Sequence, residues 1–167
     1  MGRWRPPRKS ASPYITAAGY RALEDELKAL WPRRREVVSA LSAAAAEGDR
    51  SENAEYIYRK KELAGLDRRI RYLQKRIPVL RVVRHASAPD GVFFGARVTL
   101  EIDQGGERRY RIVGEDEADA GRGDINIDSP LARAMLSKNV GDEVSVDSAD
   151  GRLIAHITAI DYELDDD

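Results

Sequence analysis

The chain has 167 residues, 34% of them charged and only 7% aromatic, which bounds it to one ordinary domain or two small ones. It contains no cysteine, so disulfides and thiolate metal sites are excluded and a reducing cytoplasm is the expected location. The net charge of −1 conceals a division: residues 1–85 carry +10 and residues 86–167 carry −11, the pattern of two modules facing different partners. No apolar run is long enough to span a membrane, and the basic stretch Met1 to Lys9 lacks the apolar core of a signal peptide.

Residues 1–13, rich in Arg, Pro and Ser, read as a disordered basic tail. Thr16 is a suitable N-cap, with Ile15 and Tyr20 placed as a hydrophobic staple across it. Apolar residues then recur at Tyr20, Leu23, Leu27, Leu30, Val37, Leu41 and Ala44, a heptad seam broken once, at Arg34. Pro32 falls inside this helix and should kink it, and Gly48 is placed to end it. A second seam follows at Tyr56, Leu63, Leu66, Ile70, Leu73, Ile77 and Leu80, broken at Arg59, with Pro78 ending or bending the helix. Two such helices joined by a few residues predict an antiparallel coiled-coil hairpin over residues 14–84. At 1.5 Å per residue the first helix is about 48 Å long, too long for so small a domain unless it projects.

Beyond residue 85 the period changes. Val98, Leu100 and Ile102 alternate, as do Tyr110 and Ile112, Ile125 and Ile127, Val144 and Val146, and Ala155, Ile157 and Ala159. Turn signals lie at Gln104-Gly-Gly106 and Asp150-Gly151, and Ser129-Pro130 opens a short helix through Leu136. Residues 85–162 therefore predict an antiparallel sheet covered by one short helix, followed by an acidic tail at 163–167. The whole is an α+β chain of two domains.

Two groups of residues are able to carry chemistry. Between the helices, Asp49 and Glu52 are three apart. This is the spacing of a capping box, with Asp in place of Ser or Thr, and also of two hard oxygen ligands on one side that could share a Mg²⁺ with a phosphate. Along the second helix Arg59, Lys60, Lys61, Arg68, Arg69, Arg71, Lys75 and Arg76 are interrupted by only Glu62 and Asp67. A solvated coiled-coil flank normally interleaves both signs, so this face reads as a footprint for phosphate, with single-stranded RNA the natural ligand. His85 and His156 are isolated and read as structural, and no phosphate loop or nucleophile elbow occurs.

The stretch Gly48-Asp-Arg-Ser-Glu-Asn-Ala-Glu-Tyr56 resembles the signature of the Gre transcript cleavage factors. The likeness continues through Tyr58 to Lys61, Asp67 to Leu73, Val92 to Ala96, Tyr110 to Gly114 and Ile127 to Leu136, in the same order. Arg50 and the dense basic helix resemble the GreB-like branch. The resemblance implies a coiled-coil finger and a C-terminal domain similar to FK506-binding proteins. It implies a factor that is no enzyme itself but stimulates bacterial RNA polymerase, entered through its secondary channel, to cut its own backtracked transcript. Asp49 and Glu52, with Ser51 in support, match the family's acidic tip, which helps to hold a Mg²⁺ of the polymerase active site; no cofactor of its own is implied. Arg59, Lys60, Lys61, Arg68, Arg69, Arg71 and Lys75 match its contact with the RNA 3′ segment, and Asp128, Ser129, Pro130 and Leu131 its polymerase-docking region. No membrane partner is expected, and the free protein is expected to be a monomer. The competing readings are a prolyl isomerase, which the scarcity of aromatics beyond residue 86 disfavours, and a channel regulator without cleavage activity, which the acidic pair disfavours.

Overall fold

The computed structural model describes residues 9–48 and 52–164. Its contacts group these into two units, one formed by Ala18–Leu80 and the other by the residues up to Ala17 together with those from Arg81 onward.

The first unit holds two long helices, α1 (Ala17–Ala45) and α2 (Ala54–Arg76), the latter running into a single 3₁₀ turn at Ile77–Val79 that contains Pro78. Every residue of the two seams is buried or half-buried, with Leu23, Val37, Ala44, Ile70 and Leu73 the most enclosed. Heptad spacing accounts for this, since only one stripe of each helix can face a neighbour. Pairs between the helices link Glu26 to Arg69, Arg34 to Asp67 and Ala44 to Asn53, so the partner number falls as the other rises. The helices run antiparallel. α1 continues through Pro32, which lies on an exposed position, and stops at Ala45; Gly48 takes up its positive φ of 127° only after a further turn.

The second unit is built on a five-stranded sheet in the order β5-β4-β3-β7-β6. Its strands are β3 (Arg97–Ile102), β4 (Gly106–Val113), β5 (Asp124–Asn126), β6 (Glu143–Ser148) and β7 (Gly151–Asp161). The alternating residues put Val98, Leu100, Ile112, Val144, Ala155 and Ile157 on one face. There they bury against Ala132 and Met135 of the short helix α3 (Pro130–Met135). Ser129 caps α3 by accepting from the backbone N–H of Ala132, with Pro130 in the first turn, as expected from those residue types.

Three features differ from the sequence reading. The sheet is mixed rather than antiparallel, because β5 pairs parallel with β4. A hairpin would return in two to five residues; here residues 114–123 intervene with two 3₁₀ turns and carry the chain back so that Asp124 pairs with Arg111, in the C-terminal half of β4. In β7 a bulge opposite Thr99 and Leu100 leaves Thr158 unmatched. Beyond it the faces exchange, so Ile160 packs against the core where strict alternation would place Ala159. Finally, Tyr14–Ile15 (β1) and Arg81–Val82 (β2), either side of the helical unit, form a two-stranded parallel ladder. Gly114 packs against it so closely that a Cβ there would stand 2.1 Å from the Tyr14 carbonyl oxygen. The carboxylate of Glu117 secures the end of β1, accepting from the backbone N–H and the hydroxyl of Thr16 and from the N–H of Gly114.

Candidate functional site

The connection between α1 and α2 carries the acidic pair. Asp49 and Ser51 lie outside the described residues; Glu52 is described, exposed, and stands before the helix begins. The capping-box reading is overturned here, because Asn53 is the N-cap of α2. Its side-chain oxygen accepts from Tyr56 N–H at 3.1 Å, while its amide donates to the Ala44 carbonyl of α1 at 2.8 Å. One amide thus satisfies an orphan donor of one helix and an acceptor in the last turn of the other. Glu52 is thereby free of any capping duty, and no hydrogen bond or ion pair ties it to another described residue.

Seven of the eight cations of α2, all but Arg76, divide into two classes. Arg59 donates to Glu55 at 2.7 Å and to Glu62 at 3.1 Å, and Arg33 of α1 reaches the same Glu62. Arg69 makes a two-pronged contact with Glu26, at 2.5 and 2.8 Å. The hydrogen bond from Arg69 holds the Glu26 carboxyl below its ordinary range against the opposing effect of burial. The bond from Arg33, ahead of that from Arg59, does the same for Glu62. By contrast Lys60, Lys61, Arg68, Arg71 and Lys75 are all exposed and form no ion pair with any described residue. At 100° per residue Lys61, Arg68 and Lys75 fall within about 40° of one another, on the side of α2 opposite its buried seam. Neutralising partners occupy the flanks of that stripe and leave its centre positive.

Both interruptions in the heptad pattern have an occupant. Arg34 fills the gap in α1 and pairs with Asp67 of α2 at 2.7 Å; Arg59 fills the gap in α2. The spacing of Arg59 to Glu55 and Glu62 was a legible signal for its pairing. The partner of Arg34 is 33 residues away, and no local pattern announces it.

The four residues expected to dock a partner lie at the start of α3. Asp128 accepts from the backbone N–H and hydroxyl of Ser12, Ser129 is committed to the cap, and Leu131 packs at the border of the core. Pro130 alone of the four is exposed. The tie from Ser12 joins a residue of the basic N-terminal stretch to this corner, a link between positions 116 apart that sequence alone does not indicate. Among the described residues no cluster of three or more His, Cys, Asp or Glu is disposed to hold a metal ion, and no helix is long and apolar enough to cross a membrane.

Residues 13–82 match the family model for the transcription elongation factor N-terminal domain, and residues 86–162 match that for the GreA/GreB C-terminal domain. The chain is 56% identical to transcription elongation factor GreB of Xanthomonas axonopodis pv. citri over 165 residues, covering 97% of this chain and 98% of that one. Transcription elongation factor GreB of Pasteurella multocida is 51% identical over 91% of this chain and 98% of its own length. Among solved structures, the GreA factor homolog 1 (Gfh1) protein of Thermus thermophilus is similar over 89% of this chain and 97% of that one, at 25% identity and a TM-score of 0.42.

Proposed function

The chain belongs to the GreA/GreB family of transcription elongation factors, and from that premise we propose that it stimulates RNA polymerase to hydrolyse its own backtracked transcript. In this reading the two-helix unit enters the secondary channel of the polymerase, and the C-terminal unit docks at the channel rim through the corner around Pro130. The protein contributes side chains to another enzyme's active centre and is not a nuclease by itself. The observation that carries the reading is Glu52, an exposed carboxylate at the connection of α1 and α2 that Asn53 relieves of capping.

Asp49 and Glu52 are the residues that would hold a Mg²⁺ together with polymerase carboxylates and an RNA phosphate. Bound there, the ion would supply Lewis-acid assistance and a more acidic water for phosphodiester hydrolysis. The donor set fits a shared ion and not a resident one. Two carboxylates provide at most two of the roughly six oxygens that Mg²⁺ requires, and Glu52 lies in no cavity that excludes water. Ser51, between them in sequence, offers a further hydroxyl. Lys60, Lys61, Arg68, Arg71 and Lys75 attract the phosphates of the extruded RNA 3′ segment, whereas Arg59 and Arg69 are held in ion pairs and shape the flank of that surface.

The direct test is RNA cleavage by a deliberately backtracked elongation complex with and without the protein. Wild-type chain accelerates cleavage; Asp49→Asn with Glu52→Gln abolishes the acceleration while competition binding to polymerase is nearly unchanged. Undiminished cleavage by the double variant rejects the metal-ligand role.

A further inference from the structure

The face of α2 that bears the cation stripe also bears two exposed tyrosines, Tyr58 at 60% and Tyr72 at 39% relative exposure. Fourteen residues separate them, so they fall within about 40° of each other around the helix and about 21 Å apart along it. Gly65 lies midway on the same line and sets no side chain between them. Lys61, Arg68 and Lys75 run parallel to that line, about 60° to one side.

Each tyrosine is backed in the same way. The Arg59 guanidinium carbon lies 5.5 Å from the centroid of the Tyr58 ring, and that of Arg69 lies 5.3 Å from the centroid of Tyr72. Each arginine is itself anchored: Arg59 by Glu55 and Glu62 of its own helix, and Arg69 by Glu26 of α1. The sequence carboxylate, guanidinium, ring therefore occurs twice. An arginine held by a carboxylate cannot readily leave the ring, so the tyrosine is supported on one side while part of its surface stays in water. Covering an arginine stem is reason enough for one such tyrosine. It does not account for two in line, a glycine between them, and an unpaired row of cations alongside.

We infer that Tyr58 and Tyr72 are stacking platforms for bases of single-stranded RNA whose phosphates follow Lys61, Arg68 and Lys75. The inference rests on the reading of α2 as the RNA-contacting face and adds the groups that engage the bases. Stacking on an aromatic ring tolerates any base, which suits a ligand of arbitrary sequence. At the ~3.4 Å spacing of a stacked strand the two platforms are about six nucleotides apart, so only a longer strand engages both.

The test titrates the full-length protein into single-stranded RNA of about eight nucleotides carrying 2-aminopurine, over a range of salt concentrations. Wild-type protein quenches the base fluorescence on binding. Tyr58→Leu and Tyr72→Leu each weaken binding roughly five-fold or more and reduce the quench, with the salt dependence unchanged, and Tyr→Phe at either position restores both. Replacing Lys61, Arg68 and Lys75 by Gln flattens the salt dependence and leaves the quench per bound strand intact. Circular dichroism of each variant establishes that the helices persist. If the leucine variants bind and quench as wild type while the glutamine variant still weakens binding, stacking is wrong and the phosphate-contacting face survives. If wild type fails to bind, or neither set of variants alters binding, the RNA-contacting face itself fails and the inference falls with it.

Discussion

Asn53 connects the two long helices through one side chain. Its amide group supplies both an acceptor for the Tyr56 N–H and a donor for the Ala44 carbonyl, a pair of roles that an ionised Asp, which only accepts, does not fill. Asn53→Ala should therefore cost about 1–2 kcal/mol, near the upper end for a lost cap, because a bond between helices disappears as well. Hydrogen exchange at the first amides of α2 should accelerate with it; unchanged protection there would show that the cap bears no load. Gly114 illustrates a different constraint, since its φ of −75° is open to any residue. What requires glycine is the Tyr14 carbonyl, 2.1 Å from where a Cβ would stand. Gly114→Ala should displace β1 and destabilise the C-terminal unit by about 1–3 kcal/mol, measurable by denaturant unfolding.

Among the elements, the antiparallel pair of helices combines an apolar seam with a charged interruption. Arg34 and Arg59 place their charges where heptads would otherwise continue, paired with Asp67 and Glu62, at the expense of apolar burial. Contacts of this kind distinguish one register from its neighbours more than they add stability, because exposed ion pairs are weak. The Glu26–Arg69 pair ties the helices further along and gives a prediction with a sign. The folded carboxyl of Glu26 titrates below its unfolded value. Its contribution is thus fully present above the unfolded carboxylate range and is lost as pH falls through the folded value. Thermal melts taken from neutral pH down to about pH 2, well below the ordinary carboxylate range, should converge for wild type and Glu26→Gln at the acid end, with wild type more stable at neutral pH. A gap that persists unchanged in acid would exclude the pair as its source. In the sheet, the bulge at Thr158 plays the corresponding part, exchanging the faces of the longest strand so that Ile160 reaches the core.

At the scale of the whole molecule, the division of charge into +10 and −11 maps onto separate tasks in the proposed function. The basic half offers phosphate-seeking residues, and the acidic half carries the corner assigned to docking. A complete hydrolytic centre is expected only when polymerase is added. Purified protein should cleave no RNA, and calorimetric titration with Mg²⁺ should give no tight site. Hydrolysis by the isolated chain that disappears on mutating Asp49 would make it an enzyme in its own right.

Residue order alone determined the elements and the family. Heptads at Leu23 to Ala44 and at Leu63 to Leu80 predict two helices, alternation at Val98 to Ile102 predicts a strand, and Ser129-Pro130 predicts a cap. The repeats have one physical cause, a single face turned away from water, and the cap another, a hydroxyl that satisfies an unpaired N–H at the helix start. The tertiary structure decided what depends on distant partners. Arg34 meets Asp67, Ser12 meets Asp128, β1 pairs with β2, and β5 lies parallel to β4. It also decided which cations of α2 remain available, since a basic residue reads alike in sequence whether or not a carboxylate from the other helix neutralises it. Lys61, Arg68 and Lys75 stay unpaired because they point away from the seam, where no acid of α1 can reach them.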